Sequence, residues 1–350
     1  MPEELKRDAP AGPLMQQTAG GSSPQTPPGP EMLRRGKADT DPAHGKAPSA
    51  RTLEEHLRLG VINLDKPAGP TSHQVVAWLK LALGVKKAGH GGTLDPQVTG
   101  VLPIAILDAT KVVRTLLEAP KEYVCVLETQ REVKPERLNQ VLLEFQGPVY
   151  QVPPLKSAVK RELRIRTIYK TEVLETTTRQ ALFRTSCEAG TYIRKLCTDV
   201  GLVLGPGGHM RELRRSVTGP FREATSVSLQ DVRDAHEHWK ETKDETWIRE
   251  VVRSVEELVA HLPRVTIRDS AVDAICHGAD LALPGVVEVQ ADIAEKDLVA
   301  VFSLKGELVC VGRAKMTGQG MAERDSGIGV KTERVVMKPG TYRRQWSGAA

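Results

Sequence analysis

Ala88-Gly89-His90-Gly91-Gly92-Thr93-Leu94-Asp95-Pro96 sets one carboxylate at the end of a glycine-rich loop, with a proline directly behind it. Glycine lets a backbone adopt φ values that other residues avoid and approach a ligand closely. Pro96 turns Asp95 away from the helical region, toward an extended or turn conformation. The acid is therefore presented by a constrained loop and not by a helix face, which suits a single catalytic aspartate. The loop lacks a Gly-Lys-Ser/Thr ending, so it is not a phosphate-binding P-loop.

Outward from this loop the chain alternates strands and helices. Upstream, Gly60-Val61-Ile62-Asn63-Leu64 reads as a short buried strand and Lys66-Pro67-Ala68-Gly69-Pro70 as a turn. A helix capped by Thr71 or Ser72 then carries Val75, Val76, Leu79 and Leu83 at helical spacing. Downstream, a strand over 101–107 precedes a helix with Val112, Val113, Leu116 and Leu117 on one face. A strand follows over 122–129, and Pro135 opens a helix bearing Leu138, Val141, Leu142 and Phe145. Segments 168–176 and 181–187 read as paired strands. The next helix starts near Tyr192 and turns Ile193, Leu196, Cys197 and Val200 inward. Ile248, Val251, Val252, Val255, Leu258 and Val259 mark one long helix, which Pro263 ends. Beyond it, short strands such as 286–289, 298–302 and 308–311 alternate with turns, a texture that suits a small β-barrel. The sequence thus divides into 1–50, 51–262 and 263–345, with no internal repeat.

Residues 1–50 hold nine prolines, six glycines and no aromatic residue, and their six Lys/Arg cancel six Asp/Glu. Such a segment buries too little apolar surface to offset its ordering entropy, and a disordered tail is expected. The five cysteines are odd in number and scattered without CxxC spacing, which argues against a zinc site or a disulfide framework. They read as reduced thiols of a cytoplasmic protein. No stretch is long and apolar enough to span a bilayer, and the N-terminus lacks a signal-peptide core. The net charge of +5 is modest, so any nucleic-acid contact must come from local patches.

Two further segments offer polar side chains where an element begins: Lys121-Glu122-Tyr123 at a strand start and Gly190-Thr191-Tyr192-Ile193-Arg194 at a helix start. With Ile193 in the core, Arg194 lies one residue round the helix, placed to meet a carboxylate. Such an arginine would keep Asp95 ionised and oriented, as a nucleophile or base requires. Taken singly, each residue has an ordinary reading: a turn-forming aspartate, a half-buried tyrosine, a surface arginine, a histidine bonded to its own loop. HExxH, GxSxG and His/Cys clusters are missing from the sequence, so neither metal nor serine chemistry is suggested.

Gly-His-Gly-Gly-Thr-Leu-Asp-Pro (89–96), Lys-Glu-Tyr (121–123) and Gly-Thr-Tyr-Ile-Arg (190–194), in this order, resemble the TruB-type pseudouridine synthases. Lys66-Pro67-Ala68-Gly69-Pro70-Thr71-Ser72 and Leu213-Arg214-Arg215 with Gly219 resemble further motifs of that family. The match runs from about residue 53 to 345. The segments Tyr150–Arg161 and Ala271–Leu281 resemble the archaeal, dyskerin-like branch, the catalytic subunit of box H/ACA ribonucleoproteins. Ala271–Leu281 is similar to the opening of a PUA domain.

The resemblance implies an α+β fold: a mixed, mainly antiparallel sheet with flanking helices and a central cleft, plus a β-barrel PUA domain. It implies isomerisation of uridine to pseudouridine in rRNA, guided by box H/ACA RNA, and possible use of tRNA. A standalone tRNA enzyme and an RNA-binding scaffold are the alternatives. Asp95 would be the catalytic carboxylate, acting on sugar or base as a nucleophile, or as a base toward the sugar. Tyr123 would stack on the uracil and assist at C5, and Arg194 would hold Asp95. Leu213 would line the base pocket and His90 would support the disturbed RNA stack. Lys66, Lys156, Lys160, Arg161, Arg164 and Arg214 are the expected RNA-binding cations, with Arg166, Arg211, Arg215 and Arg222 beside them. No cofactor or metal is implied. The expected partners are substrate RNA, a guide RNA and three small proteins, one of them a kink-turn binder.

Overall fold

Strands β2 (Gly60–Lys66) and β4 (Thr99–Ile106) pair antiparallel from Val61↔Ala105 to Lys66↔Gly100, and both are apolar almost throughout. A strand with such a sequence needs cover on both faces. Alternation supplies it: Val61, Val101 and Ala105 enter one core cluster, whereas Ile62, Leu64, Leu102 and Ile104 enter another. The structure is a computed structural model, and it describes residues 30–153, 160 and 162–344.

The larger sheet has ten strands. Its main order is β11 (Arg253–Ser254), β2, β4, β9 (Gly208–Thr218), β5 (Lys121–Thr129), β8 (Gln180–Cys187), β7 (Arg164–Thr176) and β6 (Gly147–Gln151). Strands β3 (Ala88–His90) and β10 (Phe221–Arg222) pair along β4 and β9. Every pairing is antiparallel except β4 with β9, a short seam at Thr99↔Arg214 and Gly100↔Arg215. At Gly100 φ is +100°, and a Cβ there would lie 2.3 Å from the Arg215 carbonyl oxygen. Only glycine allows the two strands to meet so closely. The seam brings the loop after β3 against β9 and β5.

Helix α1 (Leu53–Arg58) precedes β2. Helices α2 (Ser72–Leu83), α6 (Leu229–Thr242) and α7 (Thr246–Val251) cover one half of the sheet through Val75, Leu79, Val232 and Ile248. Helices α4 (Pro135–Glu144) and α5 (Ile193–Leu204) cover the other half through Leu138, Val141, Ile193 and Leu196. The seven-stranded second sheet is also mixed, in the order β1 (Met32–Arg34), β14 (Val286–Gln290), β12 (Arg264–Ile267), β15 (Leu298–Ser303), β16 (Leu308–Ala314), β17 (Ile328–Val335), β13 (Leu281–Ala282). Helices α9 (Asp269–Cys276) and α10 (Gly318–Glu323) accompany it. The two sheets share a core, in which Phe302, Leu308 and Val336 pack with Val61, Leu116 and Val259. This is the expected α+β class.

Three expectations are corrected. The segment from Pro30 to Ala50, read as structureless, is ordered: Met32–Arg34 pairs with β14, and Thr40 Oγ1 donates to Asp269 Oδ2 at 2.9 Å. Its own composition buries little, but an existing sheet edge supplies partners that composition cannot reveal. Residues 1–29 lie outside the described residues. The helix expected to carry Val112, Val113, Leu116 and Leu117 is only a 3-10 turn over Leu107–Lys111 and the single turn α3 (Thr115–Glu118), with Leu117 half exposed. The long helix over 248–259 is broken: α7 stops at Val251, β11 pairs with β2, and α8 (Val255–Leu258) starts afresh. All six apolar residues are buried, as expected, but on two cores that no single helix face could reach.

Candidate active site

The Asp95 loop is clamped at its backbone. Thr71 caps α2 with a reciprocal Thr71–Gln74 box, which frees Ser72 to point inward. Buried Ser72 Oγ accepts from the Leu94 N–H at 2.9 Å and donates to the Leu94 carbonyl at 3.0 Å. Lys66 Nζ donates to the carbonyls of Pro67, Pro96 and Val98 at 2.8–2.9 Å, and the Gly69 N–H donates to Pro96 O. From below, Arg215 Nη2 donates to Gly92 O at 3.2 Å. Gly91 rests on Leu116, whose side chain would overlap any Cβ there. The main chain is thus fixed on every side while the carboxylate stays outside.

Asp95 and Arg194 meet above this loop. Arg194 Nη2 donates to Asp95 Oδ2 at 2.9 Å, with the two side chains 52 % and 60 % exposed. Arg194 reaches it because the start of α5 is held by buried Gln151. The Gln151 Oε1 accepts from the Tyr192 N–H, and its Nε2 donates to the Tyr192 carbonyl. Tyr123 lies between the two core clusters, beside Leu213. Burial pushes its phenol above the usual range, the Cys187 and Asp95 charges add to this, and the Arg215 guanidinium pulls the other way. Asp95 and Arg194 are thus in direct contact, and Tyr123 lies near enough for the Asp95 charge to act on its phenol.

Sequence reasoning missed or misread several residues. Arg215, expected in a basic cluster, is 1 % exposed and supports the Asp95 loop through Gly92 O. Lys66, expected to bind RNA, is fully buried, and its donors are used on backbone carbonyls. Burial lowers the Lys66 pKa, partly opposed by Asp95. Lys121 is buried too: its ammonium caps the end of α3 by donating to the carbonyls of Leu116, Leu117 and Ala119. Burial brings it down to about 8. Gln151 stood inside a quoted motif without a role, and Ser72, read as an alternative helix cap, instead holds Leu94 while Thr71 caps. The hint for the lysines was their position at strand ends in apolar surroundings, where a long stem reaches a nearby helix or loop end.

The remaining expected RNA contacts divide. His90 faces His73 edge-on with ring centroids 5.2 Å apart, and its Nδ1 accepts from the Gly92 N–H. Burial lowers its pKa, as do His73 and Arg215. Arg214 is engaged by Asp65 at 2.8 Å and Glu223 at 2.5 Å, and Arg211 by Glu128 at 2.9 Å. That cluster is largely neutralised and not a bare cationic patch. Lys160 is exposed beside Glu162, Arg164 Nη2 donates to Lys160 O, and Arg166 pairs with Glu188. Lys156 and Arg161 lie outside the described residues. Among the described residues no group of three His, Cys, Asp or Glu could hold a metal ion, and no helix is long and apolar enough to cross a membrane.

Known proteins resemble this chain over most of its length. Residues 80–136 and 126–193 match the TruB family pseudouridylate synthase N-terminal domain, and 194–260 match the tRNA pseudouridylate synthase B C-terminal domain. Residues 29–76 match the DKCLD domain and 263–336 the PUA domain. The chain is 56 % identical over 310 residues to a Methanothermobacter thermautotrophicus protein named "Probable tRNA pseudouridine synthase B", covering 89 % of this chain and 96 % of that one. It is also 56 % identical to a protein of the same name from Methanopyrus kandleri, over 90 % and 94 % of the two chains. Among solved structures it resembles a chain of a Cbf5–Nop10–Gar1 complex, with TM-score 0.88, 50 % identity, and 91 % and 97 % coverage. A chain of an H/ACA ribonucleoprotein bound to substrate RNA containing 2′-deoxyuridine gives TM-score 0.86, 48 % identity, and 91 % and 98 % coverage.

Proposed function

This chain belongs to the TruB family of pseudouridylate synthases, and from that we propose that it isomerises chosen uridines, those of rRNA foremost, as the catalytic subunit of a guide-directed H/ACA ribonucleoprotein. The observation that carries this reading is the exposed 2.9 Å Arg194–Asp95 pair on a clamped backbone, with Tyr123 near enough for the Asp95 charge to act on its phenol. A flipped uridine needs such an exposed carboxylate, and flipping costs least at an unpaired base. Asp95 supplies the essential carboxylate, Arg194 orients it, Tyr123 lies against the uracil, and Leu213 packs beside the base. The N-glycosidic bond breaks, the uracil turns, and C5 bonds to C1′. The atoms of the product are those of the substrate, so no group donor is consumed.

Residues 51–262 make the catalytic domain, and 263–345 a PUA domain that takes the guide RNA by its shape and 3′ end. One related complex contains Nop10 and Gar1. By that likeness this chain takes both, together with a third small protein that binds the kink-turn of the guide. His90 supports the opened stack. Exposed Lys160 and half-buried Arg164, with Lys156 and Arg161, track the backbone, each phosphate contact adding roughly 0.7–0.9 to the salt slope. The reaction runs in the cytoplasm.

A tritium-release assay on guided rRNA substrate tests the reading. Wild type with guide and partners turns over, and Asp95→Asn abolishes product while RNA affinity stays within about tenfold, or ~1.4 kcal/mol. Turnover that survives in Asp95→Asn rejects the site. The curated relatives carry the name of a tRNA enzyme, which favours a second reading. Equal turnover of bare tRNA without a guide would establish that one. RNA binding with no turnover of either substrate would reduce the chain to a scaffold.

A further inference from the structure

The charged side chain that this chemistry leaves unused is Arg215. It is the largest fully buried side chain described. Its Nε donates to Val101 O at 2.8 Å, its Nη2 donates to Gly92 O at 3.2 Å, and its charge acts on the Tyr123 phenol. Among the described residues no carboxylate pairs with it, whereas its neighbour Arg214 holds two. Buried cations are normally paired. Carbonyls accept from its Nε and Nη2 but leave its net charge uncompensated.

The backbone aims that charge. Tyr123 and Arg215 are register partners on antiparallel β5 and β9, so their side chains share a face. The register slips between Glu122 and Tyr123, leaving Ser216 as the extra residue. Without that bulge Arg215 would be out of register with the phenol. Gly100 lets β4 close on the Arg215 backbone from the other side.

We propose that Arg215 is a positioning residue for catalysis: its uncompensated charge makes Tyr123 the base that removes the C5 proton of the rearranged uracil. This deepens the reading above and rests on it. Ionisation releases the phenol proton to water. After C1′–C5 bond formation the phenolate takes the proton from C5. The C5–H electron pair forms the C5=C6 double bond, and the displaced C6=N1 π pair takes a proton from water at N1. Of the titratable groups facing the phenol, Asp95 from the loop and Cys187 from β8 oppose its ionisation, and Arg215 from β9 favours it. His90 from β3 and Lys121 from β5 face Arg215 itself, and its charge disfavours their protonation.

The test compares Arg215→Met and Arg215→Lys in the full chain by two readouts: the pH–rate profile with guided RNA, and the ultraviolet tyrosinate titration referenced to Tyr123→Phe. In Arg215→Met the alkaline-going limb of the rate and the Tyr123 step both move to higher pH. A neighbouring charge is worth about 1–3 pKa units, so the rate near neutrality falls roughly 10- to 1000-fold. In Arg215→Lys both return toward wild type, which a purely structural role would not produce. A folded Arg215→Met with both curves unmoved overturns the proposal. If Arg215→Met does not fold, the wild-type difference titration decides: a Tyr123 step that fails to appear before the protein unfolds overturns it equally. The absorbance titration needs no turnover, so an inactive wild type would sink the function reading while leaving this one decidable.

Discussion

Asp95 and Arg194 are both more than half exposed, so their pairing adds little to stability, ~0–1 kcal/mol for a pair in water. What the contact fixes is direction. Arg194→Ala should leave the melting temperature and RNA affinity close to wild type, while a misplaced carboxylate slows single-turnover isomerisation by about 10²-fold. Melting curves and rapid-quench kinetics check both halves. Lys66 is the opposite case. Lys66→Met strands the carbonyls of Pro67, Pro96 and Val98, each costing about 1–3 kcal/mol if left dry. It should destabilise the protein and leave the salt slope of RNA binding unchanged. Lys160→Ala should lower that slope by roughly 0.7–0.9 with no loss of stability. At this scale the sequence made Asp95, Tyr123 and Arg194 legible, because their glycine, proline and core neighbours fix where they project. It did not separate Lys66 from Lys160, since the one sign of burial, the place of Lys66 at the end of an apolar strand, does not say which distant carbonyls it meets.

Elements hold the site through their ends. Lys121 ties the start of β5 to the end of α3, and α3 sets Leu116 under Gly91. Burial brings its ammonium from 10.5 to about 8, so between these values the unfolded chain binds more protons than the folded one. Stability must then rise with pH across that window, the penalty being complete below about 8. Urea unfolding at a series of pH values should show wild type gaining on Lys121→Met between about 8 and 10.5. A constant difference would contradict the burial. Gly100→Ala, at φ +100° against the Arg215 backbone, should cost more than about 1 kcal/mol and impair the site without touching a reacting atom. Strong periodicity made α2, α4 and α5 legible. It misled over 248–259, where an apolar spacing compatible with one helix serves two cores.

Across the whole molecule the two sheets are joined by more than their shared core. Buried Arg51, just after the N-terminal segment, pairs bidentately with Glu256 at 2.8 and 2.6 Å, and Glu256 Oε1 accepts from the Leu308 N–H of the second sheet. Nearby, Lys46 N–H donates to buried Glu307, which also accepts from Tyr342 Oη at 2.6 Å. Burial pushes the Glu256 carboxyl up, but Arg51 outweighs it and holds the group below 4.5. That contribution is present above about 4.5 and lost as the pH falls through the folded value. Arg51→Met leaves a buried carboxylate unpaired and should cost about 3–5 kcal/mol at neutral pH. The gap from wild type should narrow in acid, as guanidinium unfolding at neutral and acidic pH would show.

The sequence by itself determined the local pieces: a proline-backed aspartate on a glycine loop, an arginine one residue round from a core-facing isoleucine, amphipathic helices, and short strands after Pro263. Each follows from forces acting over a few residues. The tertiary structure decided everything that depends on a distant partner. Gln151 fixes α5, a one-residue bulge sets Arg215 under Tyr123, and a sheet edge orders a segment too polar to fold alone. Burial of a charge is likewise a property of what surrounds it, which is why two lysines and an arginine with surface-like identities lie inside the protein.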